Sequence, residues 1–158
     1  MRKLALLALP LLLAGHPALA NSSSGSGALA LAALVGARSP SLTLLERQAL
    51  ATMLDGRLNF PWPANRKITV AADKVTCRAS NVDISTHSCE ITFGSRTRRL
   101  AGRAAHELYT TLAEDGVSSE GAAGSIYESV TQLSCTIDVR VVQQRGGGGA
   151  GCTFTPGQ

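Results

Sequence analysis

Four cysteines, Cys77, Cys89, Cys135 and Cys152, carry the most definite chemistry in this chain. Cysteines close disulfides, bind metal or act as nucleophiles, and their spacing selects among these roles. Zinc sites use Cys-x-x-Cys pairs or a tight His/Cys cluster. Neither occurs here, and His87, two residues before Cys89, is the only hint of such a site. We therefore expect no metal site and no cofactor. Four cysteines admit three pairings. Cys77 and Cys89 flank one local loop and Cys135 and Cys152 another, so Cys77–Cys89 and Cys135–Cys152 are the expected disulfides.

The remaining candidates for chemistry are two histidines and one run of arginines. His106-Glu107 lies in a helical pattern, but position 110 is Thr, so the His-Glu-x-x-His zinc motif fails. On the helical wheel His106 falls beside the polar face with Arg103 and Thr110, which reads as a solvated helix histidine. His87 sits in a loop without an identifiable acid partner. There is no Gly-x-Ser-x-Gly elbow, and Glu107, Glu114 and Asp115 are spaced like a charged helix surface. Gly146 to Gly149 lacks the Lys-Ser/Thr ending of a phosphate loop and reads as a floppy hairpin tip. No catalytic residue is assigned, and a non-catalytic role is the preferred reading. Arg96, Arg98, Arg99 and Arg103 form the one charge cluster. A charged edge discourages strand addition, which is the favoured reading. The functional reading is a binding site for acidic groups on a partner or envelope polymer. Trp62, between Pro61 and Pro63, is a further candidate binding residue, although an aromatic between prolines more often pins a loop to the core.

Two elements outside these residues decide where the chemistry would take place. Arg2 and Lys3, the apolar Leu4–Leu13 and Ala18-Leu19-Ala20 match a cleaved signal peptide spanning 1–20. The apolar stretch is too short to cross a bilayer of ~30 Å as a helix, so no transmembrane span is expected. A periplasmic or secreted location follows, where disulfides persist. The formal charge is +4, and removing Arg2 and Lys3 would leave +2. That balance is too weak to suggest a nucleic-acid partner. Aromatics make up only 4% of the chain, so the core must be built from Leu, Val, Ile and Ala, a setting in which disulfides help a small domain.

Residues 21–42 read as a flexible Ser/Gly linker followed by a weak apolar segment, Ala28–Val35. A single α+β domain is expected over 43–158. Thr43 and Glu46 form a capping box for a helix through Leu54, with Leu44, Leu45, Ala49, Leu50, Met53 and Leu54 as its apolar stripe. Lys67–Ala72 reads as a strand, with Asp73-Lys74 as a turn or bulge. Val75–Leu100 then alternates polar and apolar residues around a Gly94-Ser95 turn. A two-residue hairpin there pairs Phe93 with Arg96, Ile91 with Arg98, Glu90 with Arg99 and Cys89 with Leu100. Arg103–Asp115 shows the i, i+3, i+4, i+7 spacing of a helix. Ala123, Ile126, Tyr127 and Val130 repeat it, predicting a second helix from Ser118 or Ser119 to about Leu133, antiparallel to the first. Cys135–Val141 reads as a strand, Gln143–Gly151 as a loop and Cys152–Phe154 as a last strand. The fold class is α+β, a small antiparallel sheet of disulfide-clipped hairpins packed on an antiparallel helix pair.

This layout, helices followed by disulfide-closed hairpins, resembles the beta-lactamase inhibitory proteins. Cysteine spacing alone carries the resemblance, and no function is transferred from it. The functional expectation is an exported, disulfide-stabilised binding or structural protein, monomeric, acting on an unidentified protein or envelope component. A protein inhibitor of an extracellular hydrolase is the alternative, and a small hydrolase ranks third.

Overall fold

The computed structural model describes residues 21–53, 62–63, 65–80, 83–114, 118–120 and 125–157. The chain order is β1 (Asn21–Ser24), α1 (Ser26–Gly36), α2 (Leu44–Met53), β2 (Lys67–Ser80), a 3₁₀ turn (Ile84–Thr86), β3 (Ser88–Phe93), β4 (Arg96–Ala101), α3 (Arg103–Glu114), β5 (Ser118–Glu120), β6 (Ser125–Asp138), α4 (Val139–Arg145), a second 3₁₀ turn (Gly146–Gly149) and β7 (Ala150–Pro156). The strands form one sheet in the order β1-β7-β6-β2-β3-β4, with β5 paired to β6. Every pairing is antiparallel. The protein is α+β, and its two disulfides clip neighbouring strands.

Both disulfides form as the loop spacing implied, Cys77–Cys89 and Cys135–Cys152. Each joins residues directly opposite in the sheet, Cys77 with Cys89 across β2 and β3 and Cys135 with Cys152 across β6 and β7. Each also packs against a helix backbone. Cys89 Sγ lies 3.3 Å from the Ala105 carbonyl of α3, and Cys152 Sγ lies 3.4 Å from the Ala28 carbonyl of α1. Alanines at these points let the helices come close to the sheet.

The core is organised around α1. Ala28 and Leu31 to Gly36 are all buried, and the helix touches α2, α3, β2, β6 and β7. A helix apolar on every side belongs in an interior. The segment expected to be a weak apolar stretch is thus the central helix. Asn21–Ser24, whose composition suggests a linker, is an edge strand paired with β7 from Asn21↔Phe154 to Ser24↔Gly151. Backbone pairing does not need the side chains that a Ser/Gly run lacks. In α2 the capping box forms reciprocally, with Thr43 N donating to Glu46 Oε2 (2.9 Å) and Glu46 N donating to Thr43 Oγ1 (3.3 Å). Its stripe is narrower than expected: Ala49, Leu50 and Met53 are buried, whereas Leu44 and Leu45 are exposed. Leu54 lies outside the described residues.

Within the helix expected from Ser118 or Ser119 to Leu133, the described residues 118–120 and 125–133 are instead strand. Ser125–Asp138 pairs with β2 along its length, from Ser80↔Ser125 to Lys67↔Asp138. The helical spacing of Ile126, Tyr127 and Val130 is real, but these residues and Thr131, Thr136 and Ile137 are strand formers. Long-range pairing with β2 outweighed the local pattern. The helices on the sheet are therefore α1 and α3, with α2 packed against α1, rather than a pair built from 103–133.

The Asp73-Lys74 irregularity appears as a reversal of faces inside a continuous strand. Ile68, Val70 and Ala72 are buried before it, and Val75 and Cys77 after it. β6 reverses in step, burying Ile137, Cys135 and Leu133 and then Val130. Two residues between buried neighbours on each strand keep the register, Ala72↔Leu133 and Lys74↔Thr131. Gln132 takes up the reversal with a left-handed φ of 54°. The Asp73 carboxylate accepts from the Gly94 amide, tying the reversal to the β3–β4 turn.

The chain after Asp138 also departs from expectation. Alternation suggested a strand to Val141, but the Asp138 side chain accepts from Val141 N at 3.2 Å and caps α4. Val139 and Val142, three apart, are the buried residues of that helix. Nor is the glycine run floppy. A Cβ on Gly147 would lie 2.3 Å from Ser26 N, and one on Gly149 would lie 2.6 Å from Val142 N. Bare backbone is required there because the turn lies against the start of α1 and against α4. No helix among the described residues is long and apolar enough to cross a membrane.

Candidate functional site

The β3–β4 hairpin has the register read from its sequence: Phe93↔Arg96, Thr92↔Thr97, Ile91↔Arg98, Glu90↔Arg99 and Cys89↔Leu100. β4 is the outer strand of the sheet. Opposed residues in an antiparallel pair share a face, which distributes the arginines. Arg99 stands opposite Glu90 on the face away from the helices, and the two form an ion pair of 2.6 Å. Arg96 and Arg98 share the core-side face with Phe93, Ile91 and Leu100. Leu100 is buried, whereas Arg96 and Arg98 are exposed, beyond the covered part of that face. Burying either guanidinium without a partner would be costly. Arg103, in the first turn of α3, pairs with Glu107 four residues on at 3.0 Å. Among the described residues, Arg96 and Arg98 make no ion pair.

On the open face, the end of this three-strand unit forms a groove of about 520 Å³. Thr76 and Arg78 of β2, Ser88 and Glu90 of β3, and Arg99 of β4 line it. Guanidinium groups thus flank the edge strand on both faces. Such groups recognise carboxylate or phosphate through two parallel N–H···O bonds.

Trp62 is not on this surface. It is 6% exposed and belongs to the main core cluster. Its Nε1 donates to Glu46 Oε1 at 3.0 Å, and Arg66 Nη2 reaches the same oxygen at 2.9 Å. Its burial and its bond to Glu46 seat the ring in the core beside α2. The Glu46 carboxyl is held below its ordinary range, first by the Thr43 backbone amide, then by Trp62 and the Thr43 hydroxyl, with Arg66 adding attraction.

The structure also joins two residues that the sequence reading kept apart. His87 Nδ1 and His106 Nδ1 are 3.1 Å from each other. His87 is 5% exposed and His106 half-buried, so His106 is not the solvated helix histidine of the wheel. The Tyr109 ring meets His87 edge-on, with centroids 5.7 Å apart. Gly102 holds both backbones: its amide donates to the His87 carbonyl at 3.1 Å, and its carbonyl accepts from His106 N at 2.9 Å. One signal for this was present in the sequence. Continuing the hairpin register two steps past Cys89↔Leu100 puts His87 opposite Gly102, one helical turn before His106. No known family, curated protein or solved structure matches the chain.

Proposed function

We propose that this chain is an exported, non-catalytic binding protein, periplasmic or secreted, whose arginine-flanked edge strand β4 holds acidic groups of a protein or envelope component. The observation that carries the reading is that Arg96 and Arg98, on the outer strand, are exposed and make no ion pair among the described residues. Arg99 and Arg78 extend the basic character to the groove on the other face. Export is supported by the two disulfides, which persist in oxidising compartments, and by the signal-like segment 1–20. Cleavage after Ala20 would leave β1 whole, whereas cleavage beyond Val35 would remove the central helix.

The test is the double variant Arg96→Ala/Arg98→Ala. Both side chains are exposed, so its melting midpoint should stay close to that of the parent. Binding to the envelope fraction should weaken, and its dependence on salt should become shallower. Normal envelope binding together with new self-association would instead assign the arginines to edge protection and refute the binding role.

A further inference from the structure

We propose that His87 and His106 form a bidentate site for a borderline divalent transition metal, with Cu(II) bound most tightly and Ni(II) and Zn(II) less so. A hydrogen bond between two imidazole nitrogens holds one proton between two lone pairs. Here those nitrogens are 3.1 Å apart. A metal can take the proton's place. With metal–nitrogen bonds of about 2.05 Å, adjacent ligands at angles of roughly 90–110° have their nitrogens about 2.9–3.4 Å apart. The observed separation falls inside that range before any side chain moves. A metal there would sit about 1.3 Å from the line between the nitrogens.

The pair is also held in place without a metal. His87 directly precedes β3, two residues before the Cys77–Cys89 disulfide. His106 is in the first turn of α3, and Gly102 ties the two backbones together. Less ordering remains to be done on binding than for two histidines on mobile loops. The local charges are mixed. Asp83 carries a carboxyl held below its ordinary range, first by the hydrogen bonds from Ser85 and then by attraction to His87. Glu107 follows His106 but is engaged by Arg103, and the positive start of α3 opposes a cation. Imidazole ligands suit Cu, Ni and Zn, and the order of affinity among divalent ions peaks at Cu(II). Among the described residues no third His, Cys, Asp or Glu joins the cluster. The pair therefore supplies two ligands and leaves the other positions to water or to donors from a bound partner.

The experiment uses the full chain without a purification tag, stripped with a chelator and titrated with CuCl₂, NiCl₂ and ZnCl₂ by calorimetry. Bound Cu(II) is then read by electron paramagnetic resonance. The expected result is one site per chain, tightest for Cu(II), with splitting from two imidazole nitrogens and a melting midpoint raised by the metal. His106→Gln is the informative variant, because His106 is half-buried and Gln keeps a hydrogen-bonding side chain toward His87. It should fold, show at least about a 10-fold loss of Cu(II) affinity and lose the metal-induced midpoint shift. His87→Gln should behave likewise if it folds. Absence of Cu(II) binding by the parent, or equal binding by folded His106→Gln, would overturn the proposal and leave the pair as a hydrogen-bonded clasp between α3 and the turn before β3.

Discussion

Removing the Glu46 carboxylate should do more than open the capping box. In Glu46→Ala, α2 loses the acceptor for Thr43 N at 2.9 Å, Trp62 loses the acceptor of its Nε1 at 3.0 Å, and Arg66 loses an ion pair at 2.9 Å. Thr43 still caps the helix through its hydroxyl, so the lost bond from Thr43 N is worth about 0.5–1 kcal/mol. A hydrogen bond from a buried donor to a charged acceptor is worth about 1.5–3 kcal/mol. The Arg66 side chain is 50% exposed, so its ion pair adds only a few tenths of a kcal/mol. The expected total is about 3 kcal/mol. Glu46→Gln keeps a carbonyl oxygen for one of the donors and should cost about 1 kcal/mol. Trp62 is the single tryptophan, so its fluorescence reports on the site directly. Urea unfolding should show the midpoint falling in the order parent, Gln, Ala, with an unchanged slope, and the folded Ala variant should emit further to the red. A cost below about 1 kcal/mol for Glu46→Ala, with unshifted emission, would refute the claim that this carboxylate pins the loop to α2. The pH dependence provides a second check. The Glu46 carboxyl is lowered in the folded state from its ordinary 4.5, first by the Thr43 amide and then by Trp62. Its ionised contribution is therefore present above 4.5 and disappears as the pH falls through the folded value. The stability gap between the parent and Glu46→Gln should narrow over that acidic window.

Two further predictions follow from the covalent and close-packed parts of the fold. Cys77 and Cys89 are 12 residues apart and Cys135 and Cys152 are 17 apart; replacing either pair with alanines should cost about 3 kcal/mol by loop entropy. Peptide mapping without reductant should recover Cys77 linked to Cys89 and Cys135 to Cys152, and a Cys77–Cys135 peptide would contradict the strand pairing. Gly147→Ala should destabilise the protein by about 1–3 kcal/mol, since its Cβ would lie 2.3 Å from the Ser26 backbone. Gly148→Ala, whose nearest neighbour is the Arg145 side chain at 3.8 Å, should be close to neutral in the same thermal melts.

The residues from Cys77 to Arg103 were legible because their signals are local and mutually consistent. A two-residue turn fixes a hairpin register, and a one-residue slip would move Cys89, Ile91 and Phe93 to the opposite face. The register placed Glu90 opposite Arg99, where the two form an ion pair. The Thr43–Glu46 capping box and the helix beginning at Arg103 were readable for the same reason, since each depends on contacts three or four residues apart.

What the sequence by itself determined about this protein is its set of short-range structures, the hairpin and two of its helices, while it left three cysteine pairings open and the structure selected the two that close neighbouring strands. The tertiary structure decided whatever depends on a distant partner. The stretch up to Leu133 carries an apolar spacing that fits a helix, and from Ser125 it became strand because β2 supplies a matching edge. Asn21–Ser24 has no side-chain signal at all, and it is a strand because β7 offers backbone partners. Ala28–Val35 became the central helix because the sheet, α2 and α3 cover most of its surface. The glycine run is fixed by the backbone of Ser26, more than 100 residues earlier in the chain. The approach of His87 and His106 to 3.1 Å belongs to both sources. Hairpin register carries His87 to Gly102, and the packing of α3 on the sheet then turns the two rings toward each other, because a helix orients its side chains only once its buried face is set.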